Sequence, residues 1–317
     1  MSALRAMTSP PNMPGLATPD GLRERLFHAG YIADEELASL LWMGLTLERP
    51  LLVEGAAGVG KTAIAAACAG AFARPLLRLQ CYEGLDLNQA VYEWNYSRQL
   101  LEIRLAEAGQ AERTTLRESL FSERFLLERP LLQAIRSPQP CVLLIDEVDR
   151  ADEAFEAFLL EMLSEYQVTV PEIGTLTALT RPLVILTSNG TRELSDALRR
   201  RCLFHYLEFP SLEREVLIVR TLVPEAAGRL VEEAVAFVQR LRREDLEKTP
   251  GVAETLDWIR ALFRLGHVEL PGEPRALGPT LAALLKTRND RWQMSGERLA
   301  RLVEGFGRPQ APDIAPY

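Results

Sequence analysis

Five short apolar runs, separated by stretches with helical spacing, organise the first two thirds of the chain. The runs span residues 51–54, 76–80, 141–145, 183–187 and 203–208. The run from Cys141 to Ile145 shows no polar alternation, which is typical of a parallel strand buried on both faces. Strands that alternate with helices predict an α/β fold in which helices cover both faces of a parallel sheet.

From Ser211 onward the apolar residues recur every three or four positions, as in "AAGRLVEEAVAFVQRLRRE". This spacing predicts a smaller, all-helical lid domain after the sheet. Two further helices are predicted before the first strand, near 21–29 and 34–47. The expected division is a flexible tail over 1–20, an α/β domain over 21–209, a helical lid over 210–305 and a C-terminal tail over 306–317.

About 60 residues separate the second and third strands, which is too long for a plain loop and predicts an insertion near 84–130 with elements of its own. Its start carries three aromatic residues, Tyr92, Trp94 and Tyr96. One interpretation is that they close a small satellite core under the insertion. The other is that they belong to a surface element that grips a client protein.

The first strand leads into "GAAGVGKT" and then into an Ala-rich helical pattern. This strand–loop–helix context is the one that a phosphate-binding P-loop requires, because converging backbone N–H groups and a helix N-terminus attract phosphate oxygens. Lys61 would contact the β- and γ-phosphates, and Thr62 would offer its hydroxyl to Mg²⁺. The candidate nucleotide-binding residues are Gly55, Ala56, Ala57, Gly58, Val59, Gly60, Lys61, Thr62 and Ala63, joined by Asp146.

Polar residues follow the third and fourth strands. Asp146 and Glu147 end the run in "PCVLLIDEVDR", and Asn189 ends the run in "LVILTSNG". Asp146 would hold Mg²⁺ together with Thr62, through the water shell of the ion, while Glu147 would activate the attacking water as general base. Asn189 would position that water beside the γ-phosphate, unless it is an ordinary turn asparagine.

Three adjacent arginines, Arg199, Arg200 and Arg201, stand about ten residues after Asn189. We expect them to follow a short helix that begins near Arg192. The simplest interpretation is a solvated face that complements a helix dipole. The alternative is a cation supplied to a phosphate site.

Composition narrows the choice of function. A net charge of −8 and a sequence pI of about 5.2 argue against a general nucleic-acid-binding surface. The four cysteines lack CxxC spacing, so neither a zinc site nor a disulfide framework is indicated. No apolar run approaches the roughly 20 residues of a membrane span, and the start lacks a signal-peptide layout, so we expect a cytoplasmic protein.

Taken in order and spacing, the P-loop, "LLIDEVDRA", "TSN" and "LRRRC" resemble an AAA+ ATPase. The segment "EVDRADEAFEAFLLEMLSEYQVTVPEIGTLTA" is similar to the MoxR family, and the resemblance covers roughly residues 26–290. "LQCYEGLDLNQAVYEWNYSRQLL" and "KTPGVAETLDWIRAL" are similar to the branch linked to maturation of carbon monoxide dehydrogenase and related molybdenum enzymes.

The resemblance implies an ATP hydrolase that uses ATP and Mg²⁺ and assembles into a homo-oligomeric ring, a hexamer. It further implies a partner with a von Willebrand A domain and a client enzyme, with metal-cofactor insertion as the narrower function. In such rings an arginine of one subunit reaches the γ-phosphate of its neighbour. Arg201 stands where that finger belongs, with Arg200 as the second candidate, whereas Arg199 would contact a neighbour's surface or only water.

The lid departs from the family pattern. Where an arginine named sensor 2 commonly reaches the phosphates, this chain has Ala253 and Glu254, and neither Arg243 nor Arg260 has the usual setting. Sensor 2 therefore stays unassigned. The lid lysines Lys248 and Lys286 stand either at a contact to a neighbour or on a solvated helix face.

Two other functions share this ATPase core. A nucleic-acid motor would need a basic surface, and the acidic composition opposes it. A nucleotide-gated adaptor with little hydrolysis would need neither Glu147 nor an arginine finger.

Overall fold

The computed structural model describes residues 17–108 and 120–306. By its contacts the chain divides into two units. The first contains residues up to Gly55 together with Lys61–Leu207, and the second contains Ala56–Gly60 together with the chain from Glu208 onward.

The core of the first unit is a five-stranded sheet in the order β2-β5-β8-β1-β9. Its strands are β1 (Leu51–Gly55), β2 (Leu76–Gln80), β5 (Val142–Asp146), β8 (Leu183–Ser188) and β9 (Leu203–Leu207). Every neighbouring pair is parallel. Each predicted strand is present within one residue of its expected bounds, and the α/β fold class is confirmed.

The first unit contains the helices α1 (Pro19–His28), α2 (Glu35–Leu47), α3 (Lys61–Phe72), α4 (Leu87–Ala90), α5 (Tyr96–Ala108), α6 (Pro130–Arg136), α7 (Glu153–Glu165) and α8 (Asp196–Arg201). Of these, α2, α3, α6 and α8 contact strands of the sheet. In α3 the buried residues include Ile64, Ala65, Ala67 and Ala69, and small side chains allow a close approach of helix and strand.

Two antiparallel strand pairs lie in the connections between the sheet strands. The first pairs β3 (Tyr92–Trp94) with β4 (Leu126–Glu128), and the second pairs β6 (Gln167–Val170) with β7 (Gly174–Thr177). The aromatic residues of the insertion differ in burial. Trp94 is buried in the main core of the first unit, edge-on to Phe121, and Tyr92 packs partly buried against the same core, so neither closes a separate satellite core. Tyr96 is exposed.

The second unit is helical after residue 208. Its helices are α9 (Leu212–Leu222), α10 (Gly228–Leu241), α11 (Val252–Arg264), α12 (Pro274–Leu277), α13 (Arg288–Gln293) and α14 (Glu297–Val303). Residues 56–60 group with it because the Val252 N–H donates to the Gly58 carbonyl over 3.0 Å. A Cβ on Gly251 would lie 2.4 Å from that carbonyl oxygen, so only glycine fits there.

A buried ion pair links three helices of this unit. Glu215 of α9 is fully buried, and both of its oxygens bind the guanidinium of Arg242, at 2.6 and 2.7 Å. Gln239 and the Thr255 hydroxyl donate to the same carboxylate, at 2.7 and 2.9 Å. Arg242 also donates to the Pro250 carbonyl, so the pair fixes the turn that precedes α11.

We expect Glu215→Ala to destabilise this unit by about 3–5 kcal/mol, because it leaves the Arg242 charge buried without its partner. Urea denaturation measures the change in the free energy of unfolding, and hydrogen exchange in α9–α11 locates the loss. Glu232→Ala is the matched control, since Glu232 pairs with Arg220 in an exposed ion pair that contributes at most about 1 kcal/mol. Equal losses in the two variants would contradict a special role for the buried pair.

Candidate active site

The P-loop lies between β1 and α3, so its last residues begin a helix at the carboxyl end of a central strand. Gly58 and Gly60 have φ angles of +78° and +107°. Such angles are strained for residues with a Cβ, which explains the glycines at these two positions. The helix α3 then begins directly at Lys61.

Lys61 is buried, and its ammonium donates to the Gly55 carbonyl at 2.7 Å and to the Asn189 Oδ1 at 2.8 Å. Burial lowers the pKa of this ammonium, while the nearby carboxylates of Asp149 and Asp146 act in the opposite direction. The lysine therefore joins the ends of β1 and β8 and places its charge beside acidic groups.

Asp146 ends β5 and has almost no exposed surface. Its Oδ1 accepts the hydroxyl of Thr187 at 2.5 Å and that of Thr62 at 3.1 Å. Its Oδ2 accepts the guanidinium of Arg78, a residue of β2, at 2.6 Å. The structure thus brings the predicted pair Thr62 and Asp146 together.

Glu147 follows Asp146 in the left-handed region, with a φ of +54°. Its backbone N–H donates to the Thr187 hydroxyl at 2.9 Å, and its Oε2 pairs with Arg150 at 3.1 Å. About a third of the Glu147 side chain is exposed. At this exposure the carboxylate can meet a solvent molecule.

Asp149 organises the segment after β8. It accepts hydrogen bonds from the backbone N–H groups of Asn189 and Thr191, at 3.2 and 2.9 Å, and from the Thr191 hydroxyl at 2.6 Å. Burial alone would raise the pKa of Asp149, but the bonds from Thr191 and Asn189 outweigh it and hold this pKa below its usual value. The charged carboxylate therefore fixes the backbone that presents Asn189 to Lys61.

The three arginines lie on α8 itself, which corrects the expectation that they follow a helix starting near Arg192. The helix begins at Asp196 with Ser195 as its N-cap, because the Ser195 hydroxyl accepts the Leu198 N–H. Arg192 instead lies in the preceding loop and donates to the Ala151 carbonyl. The guanidinium of Arg49 binds the last carbonyls of α8 and closes its C-terminus.

The arginine side chains point to different partners. Arg199 pairs with Glu54 of β1 at 3.3 Å, so it contacts its own chain. Arg201 donates to the Ser164 hydroxyl at 2.6 Å and to the Ala197 carbonyl at 3.2 Å, and the residue is exposed. Arg200 is exposed.

The lid residues that departed from the family pattern have local roles. Glu254 accepts the Gly251 N–H at 3.1 Å and so caps α11, and Arg260 pairs with Asp257 of its own helix. Arg243, Lys248 and Lys286 are exposed.

Sequence reasoning missed three residues of the site: Thr187, Asp149 and Arg78. Thr187 was part of a predicted strand, where one hydroxyl within an apolar run was the available signal. Arg78 was likewise a polar residue within a predicted strand. The site partners of Asp149 and Arg78, which are the backbone at Asn189 and the carboxylate of Asp146, stand at least 40 residues away in the chain.

Oxygen ligands around a hard cation are what Mg²⁺ prefers, and the adjoining Thr62 hydroxyl and Asp146 carboxylate fit that requirement. Four carboxylates, those of Glu54, Asp146, Glu147 and Asp149, also act on the Lys61 ammonium. The donor set therefore suits a divalent cation next to a phosphate-binding loop.

Comparison with known proteins agrees with this geometry. Residues 50–202 match the family model of an AAA domain of the dynein-related subfamily. The chain is 28% identical over 225 residues to the gas vesicle ATPase GvpN1 of Halobacterium salinarum, an alignment that covers 65% of this chain and 60% of that relative. The chain thus spans about three fifths of the length of this curated relative.

Among solved structures, the chain is similar to a RuvB variant from Thermotoga maritima, with 14% identity and a TM-score of 0.40, over 86% of this chain and 67% of that one. In the part of the chain that the structure describes, no helix is long and apolar enough to cross a bilayer. The segment that matches the AAA domain contains the P-loop, the acidic strand end and Asn189.

Proposed function

We propose that this protein is a ring-forming AAA+ ATPase that uses ATP hydrolysis to remodel or activate a client protein. The observation that carries the proposal is the meeting of Lys61, Thr62, Asp146 and Asn189 at the carboxyl ends of β1, β5 and β8. Ligands of parallel α/β sheets bind at this edge. We place the protein in the cytoplasm, where its ATP is available and where its four buried, unpaired cysteines stay reduced.

Within this proposal different residues bind the phosphates, hold Mg²⁺ and activate the attacking water. Residues 55–63 hold the phosphates, and Lys61 leaves the Asn189 amide to meet the β- and γ-phosphate oxygens. Thr62 and Asp146 hold Mg²⁺, which when bound neutralises charge on the phosphates. Glu147 accepts a proton from the attacking water, and Asn189 orients that water.

Arg201 completes the neighbour's site in this proposal, and Arg200 is the second candidate. The contact with Ser164 supports Arg201, because it holds the side chain of this exposed residue in a defined position at the end of α8. A guanidinium there would stabilise negative charge that develops on the γ-phosphate.

We further propose a hexameric ring, a partner with a von Willebrand A domain, and a client enzyme that receives a metal cofactor. The support is the similarity of "LQCYEGLDLNQAVYEWNYSRQLL" and "KTPGVAETLDWIRAL" to the carbon monoxide dehydrogenase branch of the MoxR family. The assignment of client and partner rests on these segments.

The surface we assign to the client is one face of α5, in the insertion. Tyr96, Leu100, Leu101 and Leu105 are each about 60% exposed there. Apolar side chains clustered at this exposure mark protein-interaction sites. We call these four residues the α5 face.

A photo-crosslinking amino acid at Leu101 tests the client surface in the source cells. We expect one or a few discrete adducts in a Glu147→Gln background, which holds ATP. A Lys61→Ala background, which does not bind ATP, should give about tenfold fewer adducts, because coupling between two sites typically changes an affinity 5–150-fold. Leu100→Ser with Leu105→Ser should abolish the adducts and leave basal ATPase unchanged.

The control position is Leu47 at the end of α2, which is as exposed as the α5 face but lies outside the insertion. The client assignment is contradicted by equal adducts at Leu47, or by equal adducts in the two nucleotide backgrounds. ATPase stimulated by DNA in a salt-sensitive way would instead favour the nucleic-acid motor.

A further inference from the structure

Arg78, which belongs to none of the nucleotide-binding motifs, forms an ion pair with Asp146. Arg78 stands on β2 two residues before Gln80, which is the register partner of Asp146 on β5. Side chains two residues apart on a strand share a face, so Arg78 reaches Asp146 diagonally across the strand pair. The distance from its guanidinium nitrogen to the Asp146 Oδ2 is 2.6 Å.

The Asp146 carboxylate has few other places for a cation to bind. Thr187 and Thr62 occupy Oδ1, Arg78 occupies Oδ2, and only 4% of the side chain is exposed. A divalent ion that uses this carboxylate, directly or through a water, has to share it with a guanidinium. Two cations at one anion repel each other across a partly buried site.

Arg78 has room to leave. Half of its side chain is exposed, and the same nitrogen that binds Asp146 also donates to the Gln80 Oε1 at 2.7 Å. A guanidinium that releases Asp146 can therefore stay tethered to Gln80. The guanidinium therefore has two neighbouring acceptors, the Asp146 carboxylate and the Gln80 amide oxygen.

We propose that Arg78 is a counter-ion that occupies Asp146 while no divalent ion is bound and competes with Mg²⁺ for it. This inference rests on the proposed function, because it takes Asp146 as the residue that holds Mg²⁺. In the cation-free site Arg78 neutralises a carboxylate that would otherwise repel the ATP phosphates. Mg²⁺ that arrives with the nucleotide would displace Arg78 toward Gln80. The Arg78–Asp146 ion pair therefore disfavours Mg²⁺ binding to the nucleotide-free site.

Arg78→Gln in a Glu147→Gln background tests this by binding rather than by turnover. The measured quantity is the dissociation constant of a fluorescent ATP analogue in EDTA divided by its value in Mg²⁺. We expect the ratio to rise on the order of tenfold. In EDTA the variant lacks the charge that neutralises Asp146, so its dissociation constant rises. In Mg²⁺ the variant lacks the guanidinium that competes with the ion, so its dissociation constant falls. Arg78→Lys keeps the charge and should stay within about threefold of the parent.

Arg129→Gln is the matched control, because Arg129 is a similarly exposed arginine in an ion pair, with Glu93, outside the P-loop and the Asp146 contacts. A ratio that is unchanged or lower in Arg78→Gln overturns the inference. Asp146→Asn separates this failure from failure of the proposed function: if that variant keeps the parent's ratio, Asp146 does not hold the cation at all. If Asp146→Asn loses the Mg²⁺ effect but Arg78→Gln does not change it, only the role of Arg78 is wrong.

Discussion

Replacing Glu147 with glutamine is expected to lower ATP turnover by about 10²–10⁴-fold, the usual loss when a general base is removed, and to leave ATP affinity within a few-fold of the parent. The amide has nearly the shape of the carboxylate but cannot accept a proton from water. The P-loop and the contacts of Lys61 do not depend on this side chain. Phosphate release and binding of a fluorescent ATP analogue measure the two quantities.

Glu153→Gln is the control for this result, because Glu153 is an exposed glutamate in the first turn of α7. It should leave turnover unchanged. Turnover near the parent's value in Glu147→Gln would assign the base to another group. A parallel loss of ATP affinity would mean that the substitution disturbs the loop rather than the chemistry.

Activity recovered from two inactive variants is the second large effect we expect. Arg201→Ala should lower turnover by about 10³-fold, if Arg201 is the arginine finger that neutralises charge in phosphoryl transfer, and Lys61→Ala should abolish ATP binding. In a mixed ring, an Arg201→Ala subunit keeps its own P-loop and borrows Arg201 from a Lys61→Ala neighbour. Random assembly at equal amounts makes about one interface in four complete, because heterologous ring contacts pair subunits independently.

The measurement is ATPase activity against mixing ratio at fixed total protein. We expect a maximum near a quarter of the parent's activity at equal amounts, and a rate per subunit that rises with concentration for the parent. Arg200→Ala in place of Arg201→Ala is the comparison that decides between the two candidates. Full activity of Arg201→Ala by itself, with a rate independent of protein concentration, would contradict the finger role. It would support the interpretation that these arginines form a solvated helix end.

The sheet and the P-loop could be predicted because their signals are local. Each strand is a short apolar run, and the glycines at positions 58 and 60 stand where the backbone needs a positive φ. The start of α8 was harder, because "TRELSDAL" offers several polar residues before the helix and only the Ser195 hydroxyl caps it. Trp94 and Tyr96 are two residues apart with opposite exposures, which composition alone cannot separate.

The contacts around Asp146 could not be predicted, for a different reason. Thr62, Arg78, Asp146 and Thr187 stand on four elements, and only the order of the strands in the sheet makes them neighbours. A sequence gives residue types at strand ends, but it gives no list of which strands adjoin. The roles proposed for Arg201, Asn189 and Glu147 remain predictions that the experiments above test.

The left-handed backbone at Glu147 has a consequence for any effort to make this protein more heat-resistant. A residue with a Cβ held at this φ costs on the order of 1 kcal/mol, which glycine would recover. Selection for melting temperature alone would therefore favour glycine at position 147 and remove the carboxylate with it. Thermostability and turnover are in opposition at this position, so a screen that does not assay hydrolysis would enrich inactive variants.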